Sequence, residues 1–289
     1  MHLLELKNVH SGYDGKEVLH NVNLCISEPS IYVVLGPNGA GKTTLFRTIS
    51  GIIKPQAGKV LLDGIEVFPS KEIRRKMNYL SHHNALPEEM TVYDALRFYA
   101  NMEGGNPDEV LDLLKLRDLK NKKISDLSQG QKKKVSIAKV FLREREIYLL
   151  DEPTANLDPI VSKEIRDILL ELSRDKIVLY SSHNLYEARD VGTYLILIKE
   201  GSVALFDRIS NIRSSKYRVG IRANTDISKI VDAKVGEGGY YVLSVDTPEE
   251  AGLILRDLVN RGVIVTEMRQ LDNPLQELFD ENGDTSTAT

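Results

Sequence analysis

Residues 36 to 43 read Gly36-Pro37-Asn38-Gly39-Ala40-Gly41-Lys42-Thr43, directly after the apolar run IYVVL and directly before a helix-period segment that starts through Thr44. They fill the pattern G-x-x-x-x-G-K-[ST] in the context that pattern needs. The glycines let backbone wrap closely around a phosphate, and consecutive amides together with a helix N-terminus supply positive potential. Lys42 is placed to reach the β- and γ-phosphates, and the Thr43 hydroxyl to ligate Mg²⁺. The chain is therefore expected to bind a nucleoside triphosphate.

A second strand should then bring an acid to the metal, and IYLLDEP does so with Asp151 at its end and Glu152 next to it. In an open α/β sheet the ligand lies beyond the carboxyl ends of the strands, so Asp151 and Lys42 can converge. Glu152 is a candidate general base for an attacking water. The plain alternative is a pair of surface acids that end a strand.

Two further stretches carry chemistry less directly. In DLSQGQKKKVSIAK, Ser128 and Gln131 form an S-x-x-Q capping box at the start of an amphipathic helix. Lys132, Lys133 and Lys134 then crowd the first turn, where the helix dipole disfavours positive charge. A nearby anion or acidic neighbour would account for them; a solvated basic face is the ordinary alternative. In NYLSHHNA an apolar run stops on His82 and His83. A zinc site there lacks ligands, because adjacent residues of an extended segment point to opposite sides and no cysteine is near.

The elements that must position these residues are legible in outline. Residues 3 to 9 and 17 to 27 alternate apolar and polar positions around the turn GYDGK, the pattern of an antiparallel hairpin. Short apolar runs at 31–35, 77–81, 146–151 and 177–182 alternate with helix-period segments at 42–50, 91–103, 107–116, 129–143 and 159–173. That alternation predicts an α/β fold, a mostly parallel sheet with helices on its faces. A last hairpin over 193–207 leads into the polar stretch RISNIRSSK, a candidate linker. Beyond it the order strand YRVGI, helix DISKIV, strand AKVGE, strand YYVLSVD, helix TPEEAGLILRDLVNRG and strand VIVTEMRQ predicts a small α+β, ferredoxin-like unit, followed by a short helix opened by Asn273 and Pro274. The expected division is 1–209, with a helical subdomain at about 82–145, then 210–282, then a disordered tail at 283–289.

Bulk composition narrows the function classes. A chain of 289 residues with 42% hydrophobic and 28% charged residues can bury a real core. Its net charge of -4 gives no global attraction to nucleic acid or an anionic membrane, and no nucleic-acid partner is expected. One cysteine, Cys25, excludes an internal disulfide and favours a reducing compartment. The start MHLLELKN lacks the basic region and long apolar stretch of a signal peptide. The longest apolar runs are strand length, below the ~20 residues of a membrane-crossing helix, so any membrane service needs another chain to do the crossing.

GPNGAGKTT, LSQGQ and IYLLDEPTANLD, in this order and spacing over roughly residues 3 to 207, resemble the nucleotide-binding subunit of an ABC transporter. The resemblance implies a P-loop ATPase of the ABC type, with a mixed sheet core, an antiparallel β subdomain and a helical subdomain, using ATP and Mg²⁺. It implies adenine stacking for Tyr13, which is otherwise an exposed hairpin tyrosine, and a γ-phosphate switch role for His183. It assigns Asp158 to a loop that meets the opposite subunit, although Asp158 can also be the N-cap of the helix opened by Pro159. Leu127, Ser128, Gln129, Gly130 and Gln131 become the signature that closes over the nucleotide of a second ATPase subunit, in a homodimer or heterodimer. Gln129 stands where glycine is common in the family.

His82 is a larger departure, since the family normally carries glutamine there. Imidazole nitrogen is a poor ligand for Mg²⁺, so a hydrogen bond to water or phosphate fits better, and would make turnover pH-sensitive where a free imidazole titrates, at about 6.5. His83 is read as loop. The resemblance further implies a separate transmembrane permease that would hold the chain, peripherally, on the inner face of the cell membrane. One nucleotide-binding unit plus a small C-terminal domain resembles the exporter-type systems of the drug, ion or polysaccharide class. A soluble ABC ATPase of iron-sulfur assembly and a low-turnover nucleotide-dependent regulator are the competing functions.

Overall fold

Alternation over the first residues becomes an antiparallel hairpin in the computed structural model: β1 (Leu4–Tyr13) and β2 (Lys16–Ile26) pair from Leu4 opposite Ile26 to Tyr13 opposite Lys16. The structure describes residues 2–82, 86–155, 157–183, 185–212 and 217–271. β3 (Ser30–Leu35), buried along most of its length, feeds the glycine loop and α1 (Lys42–Ile49). Next come β4 (Ala57–Leu62), β5 (Ile65–Glu66), the single turn α2 (Lys71–Arg74) and β6 (Met77–Leu80). Three helices follow, α3 (Val92–Glu103), α4 (Pro107–Leu113) and α5 (Gln129–Phe141), and they pack on one another. Then β7 (Ile147–Asp151), α6 (Pro159–Leu172), β8 (Ile177–Ser181), α7 (Leu185–Val191), β9 (Tyr194–Lys199) and β10 (Ser202–Arg208) complete the first unit.

Two sheets result. One has the order β2-β1-β4-β5 and is antiparallel; the other has the order β10-β9-β3-β8-β7-β6, parallel from β9 to β6 with β10 antiparallel at the edge. The fully buried runs of β3, β7 and β8 are what a parallel sheet covered on both faces requires. β4 escapes local periodicity because Ala57, Gly58 and Lys59 are exposed; its place is fixed by pairing with β1.

α1 sits in the core. Its Leu45, Phe46 and Ile49 share one buried cluster with Leu6, Leu24 and Val60 of the antiparallel sheet and with Val34, Leu149 and Leu179 of the parallel one. This packing fixes the helix whose N-terminus faces the glycine loop. Phe46 is fully buried, so Phe46→Ala is expected to cost about 3–5 kcal/mol, read as a fall in the urea midpoint of unfolding.

Internal contacts divide the chain into Met1–Ile209 and Ser210–Thr289. The second unit contains β11 (Tyr217–Ala223), β12 (Lys234–Val235), β13 (Tyr241–Val245), α8 (Pro248–Asn260) and β14 (Val265–Gln270). Its sheet runs β12-β13-β11-β14 with every pair antiparallel, around a core that includes Val219, Ile221, Leu243 and Leu258.

One expected helix is corrected: DISKIV forms a turn. Asp226 Oδ1 accepts from the Ser228 amide at 3.0 Å and its hydroxyl at 2.7 Å, and the amides of Ile230 and Val231 both bond Ile227 O. So short a segment gains too few helical bonds to repay nucleation, and the Asp226 side chain offers its backbone a competing partner. The expected helix at Asn273 and Pro274 and the tail lie outside the described residues.

Candidate functional site

Register decides which side chains can meet. β3, β6, β7 and β8 run parallel, with Val34 opposite Ser181, Leu80 opposite Leu150 and Asp151 opposite Ser181, so their carboxyl ends share one edge. The glycine loop and the residues after β6, β7 and β8 therefore leave the sheet together.

The loop needs its glycines for space and conformation. A side chain on Gly36 would come within 2.4 Å of Ile198 O, and Gly41 has φ 109° in the position before α1. Gly41 has no side chain to cap the helix, and no acid stands in the first turn of α1. That end of the helix is suited to an incoming anion. Pro37, Asn38 and Gly39 form the exposed crest, while Ala40 is buried and its amide donates to Pro37 O at 3.2 Å. Thr44 is buried behind the loop, its carbonyl accepting from Thr48 Oγ1.

Lys42 is only 7% exposed and its Nζ folds back to donate to Gly36 O at 2.6 Å and Pro37 O at 3.1 Å. Burial pushes its ammonium pKa down, and the carboxylates of Glu152 and Asp151 oppose that push. Thr43 Oγ1 donates to Asp151 Oδ2 at 2.7 Å. Hydroxyl and carboxylate oxygens of this kind suit Mg²⁺, a hard cation, so this pair has the donor set to hold it. Ser181 completes the arrangement: its hydroxyl donates to Asp151 Oδ1 at 2.7 Å and accepts from the Glu152 amide at 2.9 Å. Sequence reasoning placed Ser181 in a strand and gave it no part; the signal is its register opposite Asp151, visible only once β7 and β8 are paired.

Glu152 follows the strand with φ 49°, a left-handed backbone that costs a glutamate about 1–3 kcal/mol. Its side chain lies between two imidazoles, with His82 Nδ1 3.3 Å from Oε2 and His183 Nδ1 3.5 Å from Oε1. A cavity of about 330 Å³ adjoins Glu152 and His183, walled also by Thr154, Ser162, Arg166 and Glu187. His83 lies outside the described residues.

The capping box forms in full: Ser128 Oγ accepts from the Gln131 amide at 3.3 Å, and Gln131 Oε1 from the Ser128 amide at 3.0 Å. Leu127 is buried, Ser128 and Gln129 are exposed, and Gly130 lies against Leu157. Within the chain no described hydrogen bond or ion pair joins residues 128–131 to the glycine loop. The three lysines that follow find separate acids. Lys132 pairs with Glu88 at 2.9 Å and Lys134 with Glu164 at 3.2 Å. Lys133 is buried, which pushes its pKa down, and the charges of Asp151 and Glu152 offset that cost. Of the two readings open for these lysines, the acidic neighbour is the one found, and Lys133 adds positive potential beside the acid pair.

Asp158 caps α6, its Oδ1 accepting from the amides of Ile160 and Val161 at 3.1 and 3.0 Å. Tyr13 is 38% exposed at the end of β1, and its hydroxyl accepts from Arg47 Nη1 at 3.0 Å on the last turn of α1.

A parallel-sheet edge that offers anion contacts from a glycine loop, next to a hydroxyl and carboxylate pair, defines the P-loop nucleoside triphosphatases as a class. Residues 19–155 match the family model described as ABC transporter. The chain is 30% identical over 273 residues to the uncharacterized ABC transporter ATP-binding protein YhcH of Bacillus subtilis, covering 90% of this chain and 81% of that protein. It is 34% identical over 210 residues to the spermidine/putrescine import ATP-binding protein PotA of Mesoplasma florum, covering 70% of this chain but only 60% of that protein. A solved dimer of an ATP-binding cassette, in a post-hydrolysis state bound to ADP and Pi, superposes with a TM-score of 0.65 at 28% identity, over 71% of this chain and 98% of the other. The chain belongs to the ATP-binding proteins of ABC transporters.

Proposed function

We propose that this chain is the ATP-hydrolysing motor subunit of an ABC transporter, and that two such subunits close head to tail over ATP and reopen after cleavage. The observation that carries the reading is the placement of Glu152: one residue beyond Asp151, whose carboxylate is bonded to Thr43 of the glycine loop. ATP enters with its phosphates against the amides at the start of α1 and against the Lys42 ammonium, which exchanges its loop carbonyls for phosphate oxygens. Thr43 and Asp151 would hold Mg²⁺, which would supply positive charge to neutralise the phosphates. Glu152 takes a proton from the attacking water. The water oxygen bonds the γ-phosphorus, the bond to the bridging oxygen breaks, and ADP and phosphate leave. His183 orients the reacting groups, and Tyr13 stacks on the adenine.

The signature acts on the partner's nucleotide. The capped N-terminus of α5 lies on the surface with its own side chains satisfied, which supports a role in trans: the helix end faces a γ-phosphate across the dimer, and hydrolysis removes that attraction. Asp158 joins the same interface. No helix among the described residues is long and apolar enough to cross a membrane. In this reading the membrane-spanning permease is a separate chain, and this subunit docks on its inner face. The unit after residue 210 regulates or stabilises the dimer.

Ser128→Arg tests the arrangement. The variant chain is expected to bind ATP within about 3-fold of wild type while losing ATP-dependent dimers, followed by sedimentation in the presence of ATP. A variant that still dimerises on ATP overturns the placement of the signature.

A further inference from the structure

We propose that His82 is a positioning residue for Glu152, holding one carboxylate oxygen while His183 faces the other; this rests on the reading of Glu152 as the base. The geometry is a bracket. His82 Nδ1 lies 3.3 Å from Oε2 and His183 Nδ1 3.5 Å from Oε1, so each carboxylate oxygen has its own imidazole. Sheet register builds it: Leu80 is opposite Leu150, and two residues beyond these positions stand His82 and Glu152. The pairing of adjacent parallel strands brings the two segments side by side, and the left-handed backbone of Glu152 just past β7 sets its side chain.

A free glutamate side chain turns about three bonds, and a base must present one oxygen lone pair to water. The Glu152 backbone is already set at φ 49° and its amide is tied to Ser181 Oγ. What remains is the orientation of the carboxyl group. At 3.3 Å, an imidazole carrying its hydrogen on Nδ1 is within donating reach of Oε2, while Oε1 faces His183 and the cavity beside it. His82 is half exposed on the first loop residues after β6, the loop that leads on to α3.

His82→Ala and His82→Gln separate this role from others. The alanine variant is expected to lose about 10-fold or more in kcat with the KM for ATP unchanged, because a misplaced reacting group costs rate rather than binding. Glutamine offers an amide N–H at similar reach and is expected to recover most of that loss. In a Glu152→Gln background, His82→Ala should add no further loss, since it acts through Glu152. Wild-type kcat in His82→Ala, or a raised KM with kcat unchanged, or additive loss in the double variant, would each overturn the proposal. Full turnover by Glu152→Gln alone would instead overturn the assignment of the base, and the two failures are thereby distinct. Unchanged ATP affinity in each variant confirms that the fold is intact.

Discussion

Glu152→Gln is expected to release phosphate about 10²- to 10⁴-fold more slowly than the wild-type chain, the range typical of a lost general base. The substitution is nearly isosteric. It keeps the backbone bond to Ser181 and leaves Thr43, Asp151 and Lys42 untouched, so ATP affinity should stay within about 3-fold, consistent with an interaction made chiefly in the transition state. It replaces an oxygen that can take a proton from water with an amide that cannot. With hydrolysis blocked and closure still favoured by ATP, dimers should accumulate on ATP and disperse when it is removed. Phosphate release followed with a coupled assay, alongside sedimentation, checks both halves. Equal phosphate release by variant and wild type would mean that another group activates the water.

Lys42→Ala is expected to weaken ATP binding by about 10²-fold or more, as truncation of one partner of a buried charge pair costs roughly 2–5 kcal/mol. Titration of a fluorescent ATP analogue measures it. The physical reason is in the resting chain. Lys42 is buried, its ammonium is disfavoured by that burial, and it is satisfied by the loop carbonyls of Gly36 and Pro37. Phosphate oxygens offer it full negative charge in place of carbonyl dipoles, so the lysine gains more from the nucleotide than from its own fold. Accordingly the urea midpoint of the nucleotide-free chain should barely change, while stabilisation by added ATP disappears. A chain that unfolds on Lys42→Ala would assign the residue to the fold instead.

Much of this site was legible in the order of residues. Strand, glycine loop and helix are contiguous, so the loop from Gly36 to Thr43 and the helix it opens can be read without knowing the rest of the fold. The same holds for Ser128 and Gln131, whose two capping bonds span three residues, and for Asp158 before Pro159. Asp151 and Glu152 announce themselves by ending an apolar run. These features depend on local backbone geometry, and local geometry follows local residue choice.

Other features were not legible. DISKIV has the composition of a helix, but Asp226 turns it. β4 is half exposed and exists through its pairing with β1. The three lysines of α5 look alike along the chain, yet Lys132 and Lys134 meet surface acids while Lys133 is buried beside the acid pair.

What the sequence determined by itself was the set of chemical groups and their local frames: a phosphate loop on a helix end, an acid pair closing a strand, a capped helix carrying the signature. What only the tertiary structure decided was who meets whom across that edge. Ser181 ties Asp151 to the Glu152 backbone, and His82 and His183 bracket the Glu152 carboxylate. Those contacts join residues at or just beyond the carboxyl ends of separate strands, and they follow from the register in which β6, β7 and β8 pair. Register is chosen by how whole faces bury against the core, so no short stretch of residues carries it.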